Sequence, residues 1–154
     1  MTIAPLLLTM TSTFLLLGAA PDAEPADDPT EEIVALEKAM LDRWGTGDTY
    51  SFIEAAAPEV TYFEPELDKR LDGAEALEKL LAPFKDTFRV FRYEMIGPKV
   101  QAHGDVAVLT YNLIDYEESG KETERWNTTE VYCRLDGKWK LIHSHYSLTK
   151  CGVK

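Results

Sequence analysis

Short turn-forming segments divide the second half of the chain into long strands of alternating polarity. Each segment has two or three residues and contains glycine, and the segments are Gly97-Pro98, Gly104-Asp105, Glu118-Ser119-Gly120 and Asp136-Gly137. The strands between them are rich in Val, Ile, Thr, Tyr and Trp, and they cover Phe88–Ile96, Lys99–His103, Val106–Tyr116, Glu124–Leu135 and Lys138–Leu148. Connections this short join antiparallel strands, because parallel strands need a crossover of about a dozen residues. The second half therefore predicts an antiparallel meander.

The first half begins with the period of a helix. After Thr30, the apolar residues Ile33, Leu36, Met40 and Trp44 recur at helical spacing and form one face. Threonine is a favoured N-cap, and two glutamates follow it at the positive end of the helix dipole. The pattern predicts a first helix that two glycines end.

Three further elements separate this helix from the meander. Asp48 starts a second short helix, Glu59–Phe63 reads as a short strand, and the capping-box pattern Asp72–Glu75 opens a third helix. The order is thus α-α-β-α-β-β-β-β. It predicts an α+β fold in which a cone-shaped, curved antiparallel sheet packs against three N-terminal helices. The mouth of such a cone is a natural pocket for a small molecule.

The N-terminal segments have the composition of a targeting signal followed by a linker. Residues 1–20 contain no charged side chain and end in small residues, which is typical of a secretory signal peptide, although the usual basic n-region is missing. An uncleaved anchor stays open as an alternative. Residues 21–29 carry three prolines and four acids, which predicts an extended linker before a domain over 30–150. We therefore expect a secreted or periplasmic protein.

Charge and cysteine content exclude several partners. The chain has 16 Lys+Arg and 27 Asp+Glu, a net charge of −11, which disfavours nucleic acids and, once the leader is removed, anionic membrane surfaces. The two cysteines, Cys133 and Cys151, lie at opposite ends of the last hairpin, so we expect them to stay apart rather than form a disulfide. The sequence gives no reason to expect a metal or another cofactor.

Two segments carry a resemblance to a known family. They are Ala57-Pro58-Glu59-Val60-Thr61-Tyr62-Phe63-Glu64-Pro65-Glu66-Leu67 and Asp136-Gly137-Lys138-Trp139-Lys140-Leu141-Ile142-His143-Ser144-His145-Tyr146-Ser147. From Thr30 to Ser147 the chain resembles the nuclear-transport-factor-two-like superfamily, also called a cystatin-like α+β roll, to which ketosteroid isomerase belongs. Within it, the chain is most similar to SnoaL-like proteins and the association domain of calcium/calmodulin-dependent protein kinase II.

The resemblance implies a self-associating cone and no kinase activity, since the chain has no glycine-rich nucleotide loop and no catalytic-loop motif. It implies association through the sheet, at least as a dimer. In the kinase's association domain the pocket carries arginines, and the matching positions here are Asn112, Glu130 and Tyr146. A neutral or cationic ligand is therefore favoured over a carboxylate.

The face that lines the pocket depends on the register of the last hairpin, because a slip of one residue reverses every side chain. A two-residue turn pairs Leu135 with Lys138 and places Glu130 opposite His143. A three-residue loop pairs Arg134 with Lys138 instead. The resemblance favours the second register, in which one face carries Trp126, Thr128, Glu130, Tyr132, Ile142, Ser144 and Tyr146. The other face then carries Asn127, Thr129, Val131, Cys133, Trp139, Leu141, His143 and His145.

The second register also defines the predicted binding residues. We expect Asn112 and Ile114 to join the pocket face, Tyr62 to form its wall, and Trp44 and Phe84 to cover it from the helices. The predicted ligand-binding residues are Trp44, Tyr62, Asn112, Trp126, Glu130, Tyr132, Ser144 and Tyr146. For the tryptophans and for any single tyrosine, ordinary core packing is the competing interpretation.

Glu130 is the candidate with the most specific chemistry. A carboxyl in an apolar-flanked strand is desolvated, which raises its pKa toward that of a useful general base. Tyr146 or Tyr132 would then stabilise an enolate oxygen. The competing interpretation pairs Glu130 with a neighbouring cation such as Lys140 or Arg134.

His143 and His145 lie on one side of one strand. A metal site would need a third ligand, and the remaining histidine, His103, lies beside a predicted turn. We therefore assign this pair to a sheet-to-sheet contact in a homodimer.

Three functional hypotheses result. The first is a secreted module that binds a small, partly apolar, uncharged or cationic molecule and self-associates. The second is an isomerase-type enzyme with Glu130 as base. The third is a filled cone whose role is oligomerisation alone.

Overall fold

A computed structural model describes residues 28–149 of the 154 in the chain. The predicted signal segment 1–20, most of the predicted linker and Cys151 lie outside this range. Secretion and the separation of the two thiols therefore stay predictions. Within the described range, none of the helices has the length and apolar composition needed to cross a bilayer.

Three helices cover one side of the molecule. Helix α1 is Thr30–Gly45, α2 is Tyr50–Ala55, and α3 is Ala74–Leu81, which a 3₁₀ turn over Ala82–Phe84 extends. Thr30 begins α1 as predicted, but its hydroxyl bonds Asp28 instead of capping the helix.

The sheet has six strands in the spatial order β2-β1-β6-β5-β4-β3. The strands are β1 Ala56–Phe63, β2 Leu71–Asp72, β3 Arg92–His103, β4 Val106–Tyr116, β5 Glu122–Leu135 and β6 Lys138–Leu148. All neighbours are antiparallel except β1 and β6, which run parallel. The sheet is curved and does not close, so the predicted α+β cone is confirmed, with one parallel pair inside it.

Several of the expected boundaries differ, since β1 begins at Ala56, β3 at Arg92 and β5 at Glu122. The segment Gly97-Pro98 does not end a strand, because the residues on both sides of it pair with β4 and the irregularity is absorbed as a bulge. The residues of the expected capping box also differ: Leu71–Asp72 forms β2, and α3 begins at Ala74 after Gly73 with φ +93°.

The last hairpin begins in the first of the two registers expected from the sequence and leaves it at a bulge, so the three-residue loop favoured by the resemblance is wrong. Asp136 and Gly137 have φ of 49° and 77°, the signature of a two-residue type I′ turn, and Leu135 pairs with Lys138. A bulge farther along then shifts the pairing, so that Glu130 lies opposite Ser144.

The bulge decides which residues share a face. Beyond it, Glu130 and Ser144 point to the helices while His143 points away, as the second register predicts. Between the turn and the bulge, the prediction that Trp139 and Leu141 share the face of His143 is wrong. Both are buried in the core, and Leu141 lines the interior.

Candidate functional site

A cavity of about 280 Å³ lies between the helices and the inner face of the sheet. This volume is close to the lower end of the usual range for small-molecule pockets. Its walls are mostly apolar and aromatic, and the exposed residues Pro65, Glu66 and Glu124 mark its mouth. The third hypothesis, a filled cone, is therefore wrong.

The helical side of the cavity is a cluster of aromatic rings. Trp44 lies at its centre, with ring centroids 5.9 Å from Phe52, 6.4 Å from Phe84 and 4.8 Å from Phe88. All four rings line the cavity. Trp44 and Phe84 thus occupy the covering position expected from the sequence.

A buried carboxyl from α1 lies in the core between this helix and the inner face of the sheet. Glu37 is fully buried and accepts hydrogen bonds from two phenols of the sheet. Tyr111 donates to Oε1 at 2.6 Å, and Tyr132 donates to Oε2. Tyr111 also shares a 3.2 Å hydrogen bond with the phenol of Tyr146, which lines the cavity. The network therefore connects α1 to the cavity wall through the interior.

A second buried carboxyl belongs to Glu130. Ser144 donates a 3.0 Å hydrogen bond to its Oε1. Among the described residues, nothing donates to its Oε2, and Oγ1 of Thr128 on the same face of β5 likewise lacks a partner. The predicted pairing with a cation is wrong, since Lys140 bonds the carbonyl of Glu54 and Glu130 forms no salt bridge with any residue in the range 28–149.

Burial controls the acidity of both carboxyls. It holds the pKa of Glu130 well above its ordinary value of 4.5, the negative charge of Glu37 adds to this rise, and the hydroxyls of Ser144 and Tyr146 act in the opposite direction. Burial likewise raises the pKa of Glu37, and its tyrosine partners oppose that rise. Glu130 thus stays neutral to a higher pH than an exposed glutamate does.

Asp115 is a third carboxyl, and it lines the cavity directly. The indole Nε1 of Trp126 donates a 3.0 Å hydrogen bond to its Oδ2. Burial raises the pKa of Asp115 to about 6, with a smaller rise from the nearby charge of Glu124, while the indole bond lowers it. This group changes its charge close to neutral pH while in contact with the cavity.

The structure sorts the predicted binding residues into three groups. Five line the cavity: Trp44, Tyr62, Trp126, Ser144 and Tyr146. Glu130 and Tyr132 are fully buried in the core and do not line the cavity. The prediction that Asn112 lies on the pocket face is wrong. Its side chain is exposed on the outer face of the sheet, where it bonds Asn127. Its neighbour Ile114 shares that face, because alternate residues of a strand point the same way.

Sequence reasoning missed three residues of this site: Glu37, Tyr111 and Asp115. A signal for Glu37 is present, since it falls four residues after Ile33 and three before Met40, within the apolar face of α1. The inward position of Tyr111 and Asp115 follows from the alternation of side chains along a strand, once the inward face of β4 is known.

His143 and His145 lie on the outer face, as expected. Thr61 bonds Nδ1 of His143 at 2.7 Å, and the ring of Phe63 lies 6.0 Å from His143 and 5.7 Å from His145. Within residues 28–149 no group of three or more His, Cys, Asp and Glu side chains is arranged to hold a metal ion. Their role in a dimer contact stays a prediction.

Comparison with protein families gives this architecture a name. A model described as a SnoaL-like domain matches residues 33–150. The chain belongs to the SnoaL-like family. A protein from Parabacteroides distasonis, provisionally named a ketosteroid isomerase, is 35% identical to this SnoaL-like chain, with a TM-score of 0.72. That match covers 81% of this chain and 91% of the other.

Two more distant neighbours share the fold of the SnoaL-like domain. The association domain of calcium/calmodulin-dependent protein kinase II from C. elegans is 23% identical, with a TM-score of 0.65, over 76% of this chain and 93% of that one. A Xanthomonas campestris protein provisionally named for the same association domain is 24% identical, with a TM-score of 0.66, over 85% and 95%.

Proposed function

We propose that this SnoaL-like domain binds a small, partly apolar molecule without negative charge and associates with a second copy through its sheet. The cavity is the observation that carries the first part. It is hollow, it is lined by eight aromatic residues, and none of its lining residues is Lys, Arg or His. A carboxylate or phosphate ligand would have no cation to pair with there.

The outer face of the sheet supports the second part. We call the outward side chains in the middle of β4, β5 and β6 the outer patch, and its members are Val108, Thr110, Asn112, Ile114, Asn127, Thr129, Val131, Cys133, His143, His145 and Ser147. Arg125 and Lys140 lie on the same face at the edges of this patch. None of the patch members is Lys, Arg, Asp or Glu, although the chain has a net charge of −11. Interfaces between proteins are depleted of charged residues at their centre. One structural neighbour is itself named an association domain.

The proposal also places the protein outside the cytoplasm, and the uncharged, apolar segment 1–20 supports this. Native mass spectrometry of protein purified from its host tests all three parts together. We expect a subunit lacking the leader, at least two subunits per particle, and added mass from a retained small molecule.

A titration with 2-phenylethanol tests binding directly. Saturation-transfer NMR should detect it on the wild type and on Lys79→Trp, whose new side chain lies on the exposed side of α3. Leu80→Trp places the same side chain at a residue that lines the cavity, so its signal should disappear. Equal signals from both variants would remove the cavity as the binding site.

Proton transfer is a second candidate function, favoured because the phenol of Tyr146 lines the cavity and connects to buried carboxyls. Here the ionised form of Glu130 would accept a proton, and Tyr146 would stabilise the enolate. Glu130 does not line the cavity, so the proton would have to pass through Ser144, whose hydroxyl would take it up while releasing its own proton to Glu130. Exchange of the α-protons of cyclohexanone with D₂O, followed by NMR, separates the candidates: rapid exchange that Glu130→Gln abolishes would favour the enzyme.

A further inference from the structure

Three aromatic rings stand in a row on the sheet side of the cavity. The ring of Tyr146 lies between those of Tyr62 and Trp126, with centroid distances of 6.4 Å and 6.1 Å. All three line the cavity, and we call them the aromatic wall. Aromatic rings attract cations through the negative potential of their faces, and tryptophan and tyrosine do so most strongly.

A carboxyl group stands at each end of the aromatic wall. At one end Trp126 donates to Oδ2 of Asp115 at 3.0 Å, and at the other Tyr62 donates to Oε2 of Glu64 at 3.3 Å. Each of these bonds uses one of the two carboxyl oxygens. Asp115 and Glu64 both line the cavity, so the residues of the wall hold two acceptors at its surface.

The charges around the cavity all have one sign. Its lining includes Glu64, Glu66, Asp115 and Glu124 and no basic residue. A neutral ligand would gain nothing from this arrangement. A cation would gain both from the carboxyls and from the rings, in a site where partial burial strengthens such interactions.

We propose that the cavity recognises a protonated amine, with the ammonium group on the aromatic wall beside Asp115 and the apolar body among the rings around Trp44. This inference rests on the proposed binding function and names its ligand class. Asp115 is the principal anion, since it is more buried than Glu64 and the indole of Trp126 fixes its orientation.

The test compares three probes of one shape and different charge, namely phenethylamine, 2-phenylethanol and 3-phenylpropionate, against the full chain at pH 7.5. We expect the amine to bind about tenfold more tightly than the alcohol, the gain typical of a hydrogen bond to a charged group, and the carboxylate to bind most weakly. Asp115→Asn keeps the shape and an acceptor for Trp126, and it should reduce amine affinity to that of the alcohol.

Glu118→Gln is the matched control, because it removes the same charge from an exposed turn and should leave all three affinities unchanged. Equal binding of amine and alcohol to the wild type would overturn the inference and leave the proposed function intact. An amine preference that survives Asp115→Asn would overturn the assignment to Asp115. No binding of any probe would overturn the inference and the proposed function together. The comparison of probes on the wild type needs no variant to fold.

Discussion

The phenol of Tyr111 on β4 donates a 2.6 Å hydrogen bond to Oε1 of Glu37 on α1. The bond joins helix to sheet through the core, where Glu37 is fully buried. Tyr132 donates to the other carboxyl oxygen, so two phenols replace the water that a carboxyl normally binds. Buried polar groups of this kind fix how layers pack, because only one arrangement satisfies them.

Tyr111→Phe should therefore destabilise the fold. The substitution keeps the ring and leaves Oε1 of a buried carboxyl without a donor, which costs about 1–3 kcal/mol. Urea unfolding followed by circular dichroism measures this as a lower midpoint with an unchanged m-value.

Tyr93→Phe is the control for this loss. Tyr93 also donates to a carboxylate of α1, at 2.7 Å to Asp42, but this contact is exposed to solvent. Water can replace the lost partner, so we expect a change within about 0.5 kcal/mol. Equal losses of unfolding free energy in the two variants would show that the buried hydrogen bond contributes no more to stability than the exposed one.

Glu130→Gln should change how stability depends on pH. Burial raises the folded-state pKa of Glu130 well above 4.5, so the folded state holds a proton that the unfolded chain releases. Its favourable contribution is complete below pH 4.5 and is lost as the pH rises toward the folded-state pKa. The free energy of unfolding should thus fall less steeply from pH 5 to pH 8 in Glu130→Gln than in the wild type.

The glutamine keeps an oxygen for the hydrogen bond from Ser144, which makes the comparison fair. Glu118→Gln, with a fully exposed carboxyl, should reproduce the wild-type slope. A Glu130→Gln slope identical to that of the wild type would mean that Glu130 is ionised in the folded protein at pH 5.

Much of the architecture could be predicted from local signals. β4 has the predicted limits, Val106–Tyr116, because glycine-containing turns bound it on both sides. Asp136-Gly137 also forms a turn where one was expected, since both residues tolerate a positive φ, but it is the two-residue turn and not the favoured three-residue loop. The pair Leu71–Asp72 escaped prediction, because a two-residue strand is defined by its partner in β1 and not by its own period.

The site was harder to predict, because it depends on one irregularity. No characteristic residue type marks the bulge of the last hairpin in the sequence. The bulge nevertheless sets the side of the sheet to which Ser144 and Tyr146 point. The face of Asn112 depends on the pairing of β4 with β5, where it meets Asn127 directly. Glu37 was missed because a glutamate within a helix usually faces solvent.

Amine binding should weaken at acid pH if the ammonium group pairs with Asp115. Asp115 lies between Tyr93 on β3 and Glu124 on β5, and its pKa is about 6. At pH 5 only about one tenth of it is ionised, so phenethylamine affinity should fall about fivefold from pH 7.5, whereas the probe itself stays protonated. Calorimetric titration at both values measures the ratio. For 2-phenylethanol the two affinities should agree, and amine binding that ignores pH would contradict a role for Asp115.

His145→Glu should separate associated subunits. His145 lies in the uncharged outer patch, 5.7 Å from the ring of Phe63, and in a twofold contact a glutamate there would bury one unpaired charge from each subunit. Light scattering after size exclusion should show a wild type of at least two subunits and a monomeric His145→Glu. Ser119→Glu adds the same charge in the exposed turn between β4 and β5, away from the patch, and should keep the wild-type mass. If His145→Glu and the wild type elute with the same mass, the contact between copies lies elsewhere on the molecule.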